Sequence, residues 1–215
     1  MTPAQREQLM HWPEPLPRQD ETTDGDFYAF PRLVTHIDDG AIAAVTDLYR
    51  ERLPAGGRIL DLMSSWVSHL PGEVNYAEVV GLGMNAHELA RNPRFTRWIV
   101  HDLNVEPQLP LADASFDAAT ICVSIDYLTR PTAVLRDIAR VLTPGGLLAI
   151  TFSNRCFPTK AVLPWLYLDD AGHLEFVTTR LQAAGGWTAI ERLDRSPKQG
   201  DPMFAVIARS DARNA

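Results

Sequence analysis

The feature that most constrains the fold of this chain is a set of five short, continuously apolar segments. They are Arg58–Met63, Glu78–Leu82, Thr96–Val100, Phe116–Val123 and Leu147–Phe152. Their residues do not alternate regularly between apolar and polar, so each segment is expected to form a strand with both faces buried. Such strands are typical of parallel sheets that helices cover on both sides. We therefore predict an α/β fold.

Helical patterns lie before and between the predicted strands. Apolar residues recur at three- and four-residue spacing over residues 42–53, after Asp38 or Asp39 as N-cap, and again over 134–142, after Pro131. Parallel strands need crossover connections of this kind. The alternation of strands and helices therefore predicts a doubly wound sheet.

The C-terminal part breaks the alternation. A helix predicted over about residues 173–184 leads to two further strands, Trp187–Leu193 and Met203–Ala208, which only a short turn joins. A turn is too short for a parallel crossover, so the last strand must run antiparallel. The prediction is a mostly parallel seven-stranded sheet that ends in an antiparallel hairpin, which departs from the usual dinucleotide-binding plan.

Composition narrows the class of protein. With 215 residues, of which 46% are hydrophobic, the chain is expected to form one globular domain with a small appendage. Its net charge of −7 and its scattered basic residues argue against nucleic acid as a partner. Cys122 and Cys156 lack metal-ligand spacing and cannot build a disulfide framework, so we expect no metal and a reducing compartment. No apolar stretch of membrane-spanning length and no signal-peptide layout are present, and we expect a cytoplasmic protein without a membrane partner.

Three regions follow from these patterns. Residues 1–26 are predicted to be a proline-rich N-terminal arm rather than a packed element, because proline removes backbone donors and favours extended neighbours. Trp12 either anchors this arm on the rest of the chain or belongs to a mobile tail. Residues 27–57 are predicted to form an N-terminal helical cap, and residues 58–210 the α/β domain.

Two segments resemble those of a known family. Leu109–Asp117 is similar to the loop that leads into the fourth strand of the class I S-adenosylmethionine-dependent methyltransferases, and Leu135–Ile150 is similar to their following helix, turn and fifth strand. The resemblance extends over about residues 40–209. It implies a Rossmann-like fold, S-adenosyl-L-methionine as cofactor and methyl transfer to a small-molecule acceptor.

The resemblance also implies where the cofactor would bind. In the family, the first strand ends in an acidic residue before a glycine-rich turn, the second ends in a ribose-binding carboxylate, the third is followed by an adenine-contacting pair, and the fourth ends beside the transferred methyl group. The positions that correspond here are Asp61, Met63, Ser64, Gly83, Met84, Asn85, Asp102, Leu103 and Ser124.

Two of these landmarks depart from the family pattern. The turn after Asp61 contains no glycine, and Gly83 stands where a carboxylate is usual. Asn85 or water is expected to replace part of the lost ribose contacts. Trp66, which lies in the altered turn, either shapes or blocks the cofactor site. The sequence therefore leaves two hypotheses open: a methyltransferase with different cofactor contacts, or a degenerate, non-catalytic binding module. A nicotinamide-dependent oxidoreductase is disfavoured, because the Gly-x-Gly-x-x-Gly turn is missing.

The candidate catalytic residues are Asp126 and Tyr127, which follow the fourth strand. Asp126 would orient or deprotonate an acceptor and Tyr127 would stack on it; alternatively, Asp126 closes a turn and Tyr127 packs in the core. Further residues with a functional and a structural interpretation are Tyr28, His36, His69, Arg155 and Cys156. Cys122, inside an apolar strand, is expected to belong to the core.

Overall fold

The computed structural model describes residues 1–211, which form one seven-stranded sheet and the helices around it. The strands are β1 (Arg58–Leu62), β2 (Glu78–Gly83), β3 (Arg97–Val100), β4 (Phe116–Cys122), β5 (Leu142–Phe152), β6 (Trp187–Asp194) and β7 (Phe204–Ser210). Their spatial order is β3-β2-β1-β4-β5-β7-β6. Strand β7 is antiparallel to β5 and β6, and the other pairs are parallel. The predicted sheet with its terminal hairpin is confirmed.

Helices lie before and between the strands. They are α1 (Pro3–Met10), α2 (Asp24–Phe27), α3 (Asp39–Arg52), α4 (Ala86–Leu89), α5 (Pro131–Val141), α6 (Leu163–Leu166) and α7 (Asp170–Ala184), with a 3-10 helix at Ile125–Tyr127. Asp38 caps α3, because its carboxylate accepts the Ala41 N–H at 2.9 Å. Among residues 1–211, none of the helices has the length and apolar character needed to cross a membrane.

Successive strand residues enter two hydrophobic cores, one on each face of the sheet. Ile59 of β1 belongs to the core that α3 covers, whereas its neighbour Leu60 belongs to the larger core that α5 and α7 cover. Both faces are therefore buried, as the continuous apolar segments predicted.

The connection between β1 and β2 differs from the predicted alternation, because residues 63–77 contain no helix. Serines in this stretch compete for backbone hydrogen bonds, and Pro71 lacks an N–H. Side chains from elsewhere satisfy part of the backbone instead. Asn92 Nδ2 donates to the Ser65 carbonyl at 3.0 Å, and Thr46 Oγ1 donates to the His69 carbonyl at 3.0 Å. These contacts fix the backbone conformation of the irregular connection, including the turn directly after β1.

The N-terminal region is packed, so the prediction that it forms no packed element is wrong. Helix α1 begins at a capping box, and Leu16 is buried in the larger core. Trp12 packs against the same core, and its carbonyl accepts from Arg180 at 3.0 Å. Glu14 accepts the Thr132 hydroxyl at 2.6 Å. The proline content of residues 1–26 did not indicate this packing, because the contacts join residues that are far apart in the sequence.

Residues 24–37, which we call the lid, lead from this region towards α3. A buried charge cluster fixes the beginning of the lid. The Asp24 carboxylate accepts from Arg18 at 2.7 Å and from Asn104 at 2.7 Å, and Lys160 Nζ lies 3.3 Å from it. Lys160 is completely buried, so its charge requires partners of this kind.

Candidate active site

A cavity of about 530 Å³ lies beyond the carboxyl ends of the central strands, between the sheet and the lid. Strands β2 and β3 lie on one side of β1, and β4 and β5 lie on the other. The cavity is therefore at the topological switch point, where open α/β sheets bind ligands. We call its two parts the β2 side (Asp61–His69, Leu82–Asn85 and His101–Asn104) and the β5 side (Ser124, Tyr127 and Asn154–Phe157).

Asp61 lies at the floor of the cavity, at the position that the resemblance assigned to it. Its carboxylate accepts hydrogen bonds from the Ser64 hydroxyl at 2.6 Å and from the Thr120 hydroxyl at 2.8 Å. Burial raises the pKa of this carboxyl above its ordinary value, and the serine and threonine hydroxyls oppose the shift. Asp61 therefore stabilises the turn that follows β1 through its hydrogen bond with Ser64.

The glycine-free turn keeps a backbone conformation that glycine usually supplies. Met63, directly after β1, has a φ of 52°. Val123, directly after the neighbouring β4, has a φ of 44°, which is rare for a β-branched residue. Both residues line the cavity. Backbone strain thus accumulates at the ends of the two central strands, where ligand sites often store it.

Gly83 is required by a close approach of the turn to β2. A Cβ at residue 83 would collide with the Ser64 carbonyl oxygen. The Ser64 N–H donates to the Leu82 carbonyl at 2.8 Å, which holds the turn in this place. The space that a ribose-binding side chain would need is therefore filled by the backbone of the turn.

Asn85 and Glu88 bind the turn and the lid. Asn85 caps α4 through its side-chain oxygen, and its Nδ2 donates to the Tyr28 carbonyl at 2.8 Å. Glu88 accepts from the Ser65 hydroxyl at 2.5 Å and from the Arg32 N–H at 2.6 Å. Asn85 and Glu88 have the spacing of a capping box, but the box is formed only in part, because the Glu88 side chain reaches the turn and the lid instead of the Asn85 N–H. Asn85 lines the cavity, but its amide group is engaged by protein partners.

Trp66 joins the turn to the lid without filling the cavity. Its indole N–H donates to the Val34 carbonyl at 3.1 Å, and both residues contribute to the cavity wall. The cavity stays open beside Met63 and Trp66 and reaches Asp102. Of the two interpretations of Trp66, the geometry agrees with a residue that shapes the site.

Asp102 and Leu103 line the cavity after β3. Asp102 Oδ1 accepts the N–H of Asn104 at 2.9 Å and that of Val105 at 3.3 Å. Within residues 1–211 no hydrogen bond to Asp102 Oδ2 is present, so this oxygen is available to a ligand. Leu103 is buried and supplies an apolar surface beside it.

The two catalytic candidates occupy different places. Tyr127 lines the β5 side, and its hydroxyl accepts the Phe157 N–H at 2.9 Å. Asp126 is buried in the 3-10 helix and is not part of the cavity wall. Burial raises the pKa of Asp126 to about 8. Its position does not support direct contact with an acceptor. Ser124 lines the cavity, and its hydroxyl has no hydrogen-bond partner within the described chain.

Aromatic side chains dominate the β5 side. The Phe157 ring packs edge-on against His36, with ring centroids 5.2 Å apart, and lies 6.0 Å from Tyr127. The Arg32 guanidinium lies over Phe27 at 4.6 Å and over Phe157 at 5.5 Å. Tyr28 and His36 complete this wall from the lid. The arrangement suits a planar, partly apolar ligand.

The remaining candidates also line the cavity, with different surroundings. Burial lowers the pKa of His69, on the β2 side, below its ordinary value. Arg155 is mostly exposed and lies 3.6 Å from Asp201. Burial raises the pKa of the Cys156 thiol to about 11 and that of Cys122 to about 12, so both stay neutral at physiological pH. Cys122 packs against the smaller core, although it also reaches the cavity.

Several residues of the site were not predicted. Glu88, Asn104, Phe157 and Arg32 shape the cavity through contacts with residues distant in the sequence. For Glu88 a signal existed, because its spacing from Asn85 marked a helix start. For the others the chain offered no local pattern.

The residues present fit a cofactor with an adenine ring and a charged sulfur centre. The open cavity, the available Asp102 oxygen, the apolar Leu103 and the unpartnered Ser124 hydroxyl provide contacts for such a ligand. The position after β2 provides no carboxylate, so ribose contacts must come from other groups.

Comparisons with known proteins agree with this fold and site. A family model described as "Methyltransferase domain" matches residues 62–150. The ubiquinone/menaquinone biosynthesis C-methyltransferase UbiE of Rubrivivax gelatinosus is 37% identical over 102 residues, which are 43% of this chain and 37% of that protein. A ubiquinone biosynthesis O-methyltransferase of Xanthomonas axonopodis pv. citri is 31% identical over 111 residues, 47% of this chain and 45% of that protein. The chain thus covers less than half the length of both relatives.

Among solved structures, the [4+2]-cyclase SpnF superposes with a TM-score of 0.63 at 19% identity, covering 87% of this chain and 91% of that one. This likeness concerns the fold. A Rossmann-like sheet with an antiparallel terminal hairpin and a cavity at the switch point defines the methyltransferase-like class. In its fold, and in residues 62–150 that match the methyltransferase domain model, the chain is similar to the class I S-adenosylmethionine-dependent methyltransferases. The cofactor of this family is S-adenosylmethionine.

Proposed function

We propose that the protein transfers a methyl group from S-adenosylmethionine to a small-molecule acceptor. The observation that carries the proposal is one continuous cavity that joins Asp61 and Asp102 on the β2 side with the aromatic wall on the β5 side. Bound there, S-adenosylmethionine would supply a methyl group on a positively charged sulfur. The protein's own contribution is to align the acceptor and exclude water.

In this proposal the β2 side of the cavity binds the cofactor, and the β5 side and the lid bind the acceptor. Asp102 Oδ2 would accept from an exocyclic amine, and Leu103 would pack against the ring. Asp61 holds the turn through Ser64, so it acts as a positioning residue. Ser124 and Tyr127 line the cavity after β4 and would lie beside the transferred methyl group. The lid would cover the acceptor and limit it to a small molecule.

The family relatives support a ring-containing acceptor. Their names refer to ubiquinone and menaquinone biosynthesis. Tyr28, Tyr127 and Phe157 offer this chain a surface on which an aromatic ring would stack. We include an aromatic small molecule in the proposal for this reason.

A non-catalytic binding module is the second candidate. The observation that favours it is the Ser64 carbonyl beside Gly83, which occupies the space that a ribose-binding side chain at residue 83 would need. In such a protein the cavity would bind a different small molecule and the lid would stay closed.

Isothermal titration of the purified protein with S-adenosylmethionine, S-adenosylhomocysteine and NAD separates these possibilities. We expect micromolar binding of the first two ligands and none of NAD. Absence of binding for all three ligands would contradict the methyltransferase proposal and favour the binding module. Binding of NAD alone would contradict the methyltransferase proposal and would indicate a site for a nicotinamide cofactor instead.

A further inference from the structure

The acceptor would bind between the lid and the β5 side, and we call this part of the cavity the acceptor side. Several titratable groups lie in or against it, but few of them are free to accept a proton. This inference rests on the proposed methyl transfer. Asp24 is bound by Arg18 and Asn104, and the oxygens of Glu88 are bound by Ser65 and Arg32. Both carboxylates therefore have their acceptor sites directed at protein partners.

The other acidic groups of this side are held in their protonated forms. Burial raises the pKa of Cys156 to about 11. Burial, and to a lesser extent the Asp126 carboxyl, raises the pKa of Tyr127 far above its ordinary value. Asp126 itself does not reach the cavity wall. None of these groups is a suitable proton acceptor at neutral pH.

His36 differs from all of them. It lines the cavity from the lid, and its ring lies edge-on to Phe157 at 5.2 Å on the β5 side. Within residues 1–211 its ring nitrogens make no hydrogen bond. His36 is exposed, and partial desolvation of its ring lowers its pKa below the ordinary value of 6.5; Arg32 acts in the same direction and Glu88 opposes it. The neutral imidazole, with one free lone pair, is therefore the prevailing form at neutral pH.

We propose that His36 is the general base of the reaction and that the acceptor is an aromatic compound with a ring hydroxyl. The ring of such an acceptor would stack against Tyr28, Tyr127 and Phe157, which brings its hydroxyl to the His36 side of the cavity. A phenol is protonated at neutral pH, with a pKa of about 10 in tyrosine. It therefore needs a base, whereas an ionised acceptor does not.

The step balances without a further reactant. The acceptor oxygen forms a bond to the methyl carbon while the bond between that carbon and sulfur breaks, and its electron pair stays on sulfur. The hydroxyl proton moves to the free ring nitrogen of His36. The products are the methyl ether, neutral S-adenosylhomocysteine and an imidazolium that later releases its proton to water.

The test uses the whole 215-residue chain, S-adenosylmethionine and two probes. Phenol is protonated at the assay pH of 8, and 4-nitrophenol is mostly ionised there. We expect His36→Gln to lower kcat for phenol by about 100-fold, the low end of general-base effects, and to leave kcat for 4-nitrophenol within a few-fold. His87→Gln is the matched control, because His87 is exposed on α4 and does not line the cavity.

A second readout does not depend on turnover. In protein with labelled histidine and saturated with S-adenosylhomocysteine, added phenol should shift the His36 imidazole resonance, which the His36→Gln spectrum identifies, and should leave His87 unchanged. An unshifted His36 resonance would overturn the proposal.

The outcomes also separate this proposal from the general function. If S-adenosylhomocysteine binds but neither phenol is methylated, the acceptor class is wrong and the methyltransferase proposal stands. If both phenols lose activity equally in His36→Gln, or neither does, His36 is not the base. If S-adenosylhomocysteine does not bind, the proposed function itself fails.

Discussion

Individual residues decide how this cavity is built. Met63 and Val123 hold left-handed backbone conformations at the ends of β1 and β4, although both carry side chains. Gly83, in contrast, is needed for space, because the Ser64 carbonyl approaches it closely. In the family pattern the turn after the first strand contains glycine. In this chain the turn contains none, and glycine is needed instead at residue 83 of β2, which the turn approaches.

Replacement of Gly83 should therefore be costly. We expect Gly83→Ala to lower the free energy of unfolding by about 1–3 kcal/mol, the range for forced overpacking, because the turn must move away from β2. Urea denaturation measures this change. Gly72→Ala is the control, since a Cβ there meets no atom within 4 Å. Equal stabilities of the two variants would contradict the close approach.

Asp102 offers the clearest cofactor contact. Asp102→Asn keeps an oxygen for the Asn104 N–H but loses a charged acceptor for the cofactor. We expect the affinity for S-adenosylhomocysteine to fall about tenfold or more, equivalent to about 1.4 kcal/mol, with little change in Tm. Titration calorimetry measures the affinity, and Asp47→Asn on the exposed face of α3 provides the control. An unchanged affinity would remove Asp102 from the proposed site.

The sequence predicts residues of the site well where position along a strand is sufficient. Asp61 lies near the end of β1, Asp102 and Ser124 follow the ends of β3 and β4, and all three line the cavity. Asn85 or water was expected to replace part of the ribose contacts, but the Asn85 amide binds the Tyr28 carbonyl, 57 residues earlier. Asp126 was expected at the cavity, but the 3-10 helix turns it into the interior. Such partners depend on tertiary packing, which local patterns do not contain.

At the scale of elements, the lid is the part of the structure that the sequence describes least. The strands follow from local apolar runs, and the terminal hairpin follows from the length of its turn. The lid depends instead on separate contacts with Trp66, Asn85, Glu88 and Asn104. Helix α1 is similar, since Arg6 binds Glu175 of α7 at 2.8 Å.

The lid should open more often when its contact with Asn85 is removed. Asn85→Asp keeps the oxygen that caps α4 but replaces the donor to the Tyr28 and Ala29 carbonyls. We expect amide hydrogen exchange over residues 27–33 to become about tenfold faster, which corresponds to the loss of about 1.4 kcal/mol of hydrogen bonding. Mass spectrometry of the exchanged peptides measures it.

Asn75→Asp is the matched control for that experiment, because it introduces the same charge at an exposed position. The control should exchange over residues 27–33 like the unchanged protein. If Asn85→Asp also leaves this exchange unchanged, Asn85 does not hold the lid.

At the scale of the whole molecule, the stability should depend on pH through Asp126. Its folded-state pKa of about 8 lies above the ordinary value of 3.8, because burial penalises the charged carboxylate and Oδ2 has no hydrogen-bond partner within the described residues. The folded state thus binds a proton more tightly than the unfolded state. This contribution to stability is complete below pH 4 and disappears as the pH rises through 8.

Asp126→Asn removes this dependence, because the amide stays neutral and keeps the shape of the protonated acid. We expect the free energy of unfolding of the variant, relative to the unchanged protein, to rise between pH 5 and pH 9 by several kcal/mol, at about 1.4 kcal/mol per pKa unit. Denaturation at a series of pH values measures the difference. Asp39→Asn, an exposed position on α3, gives the background, and parallel curves for all three proteins would contradict the raised pKa.

The Ser64 carbonyl above Gly83 also limits the paths by which this sequence could change. Introducing a carboxylate side chain, which is usual in the family, at residue 83 alone would cause a collision with the turn. Replacing Trp66 with glycine alone would release the Val34 carbonyl from its partner and loosen the lid. A variant with the usual motif would therefore need changes in the turn, the strand and the lid at the same time. Each single substitution towards that motif should be selected against, so we expect the three features to be kept or changed together.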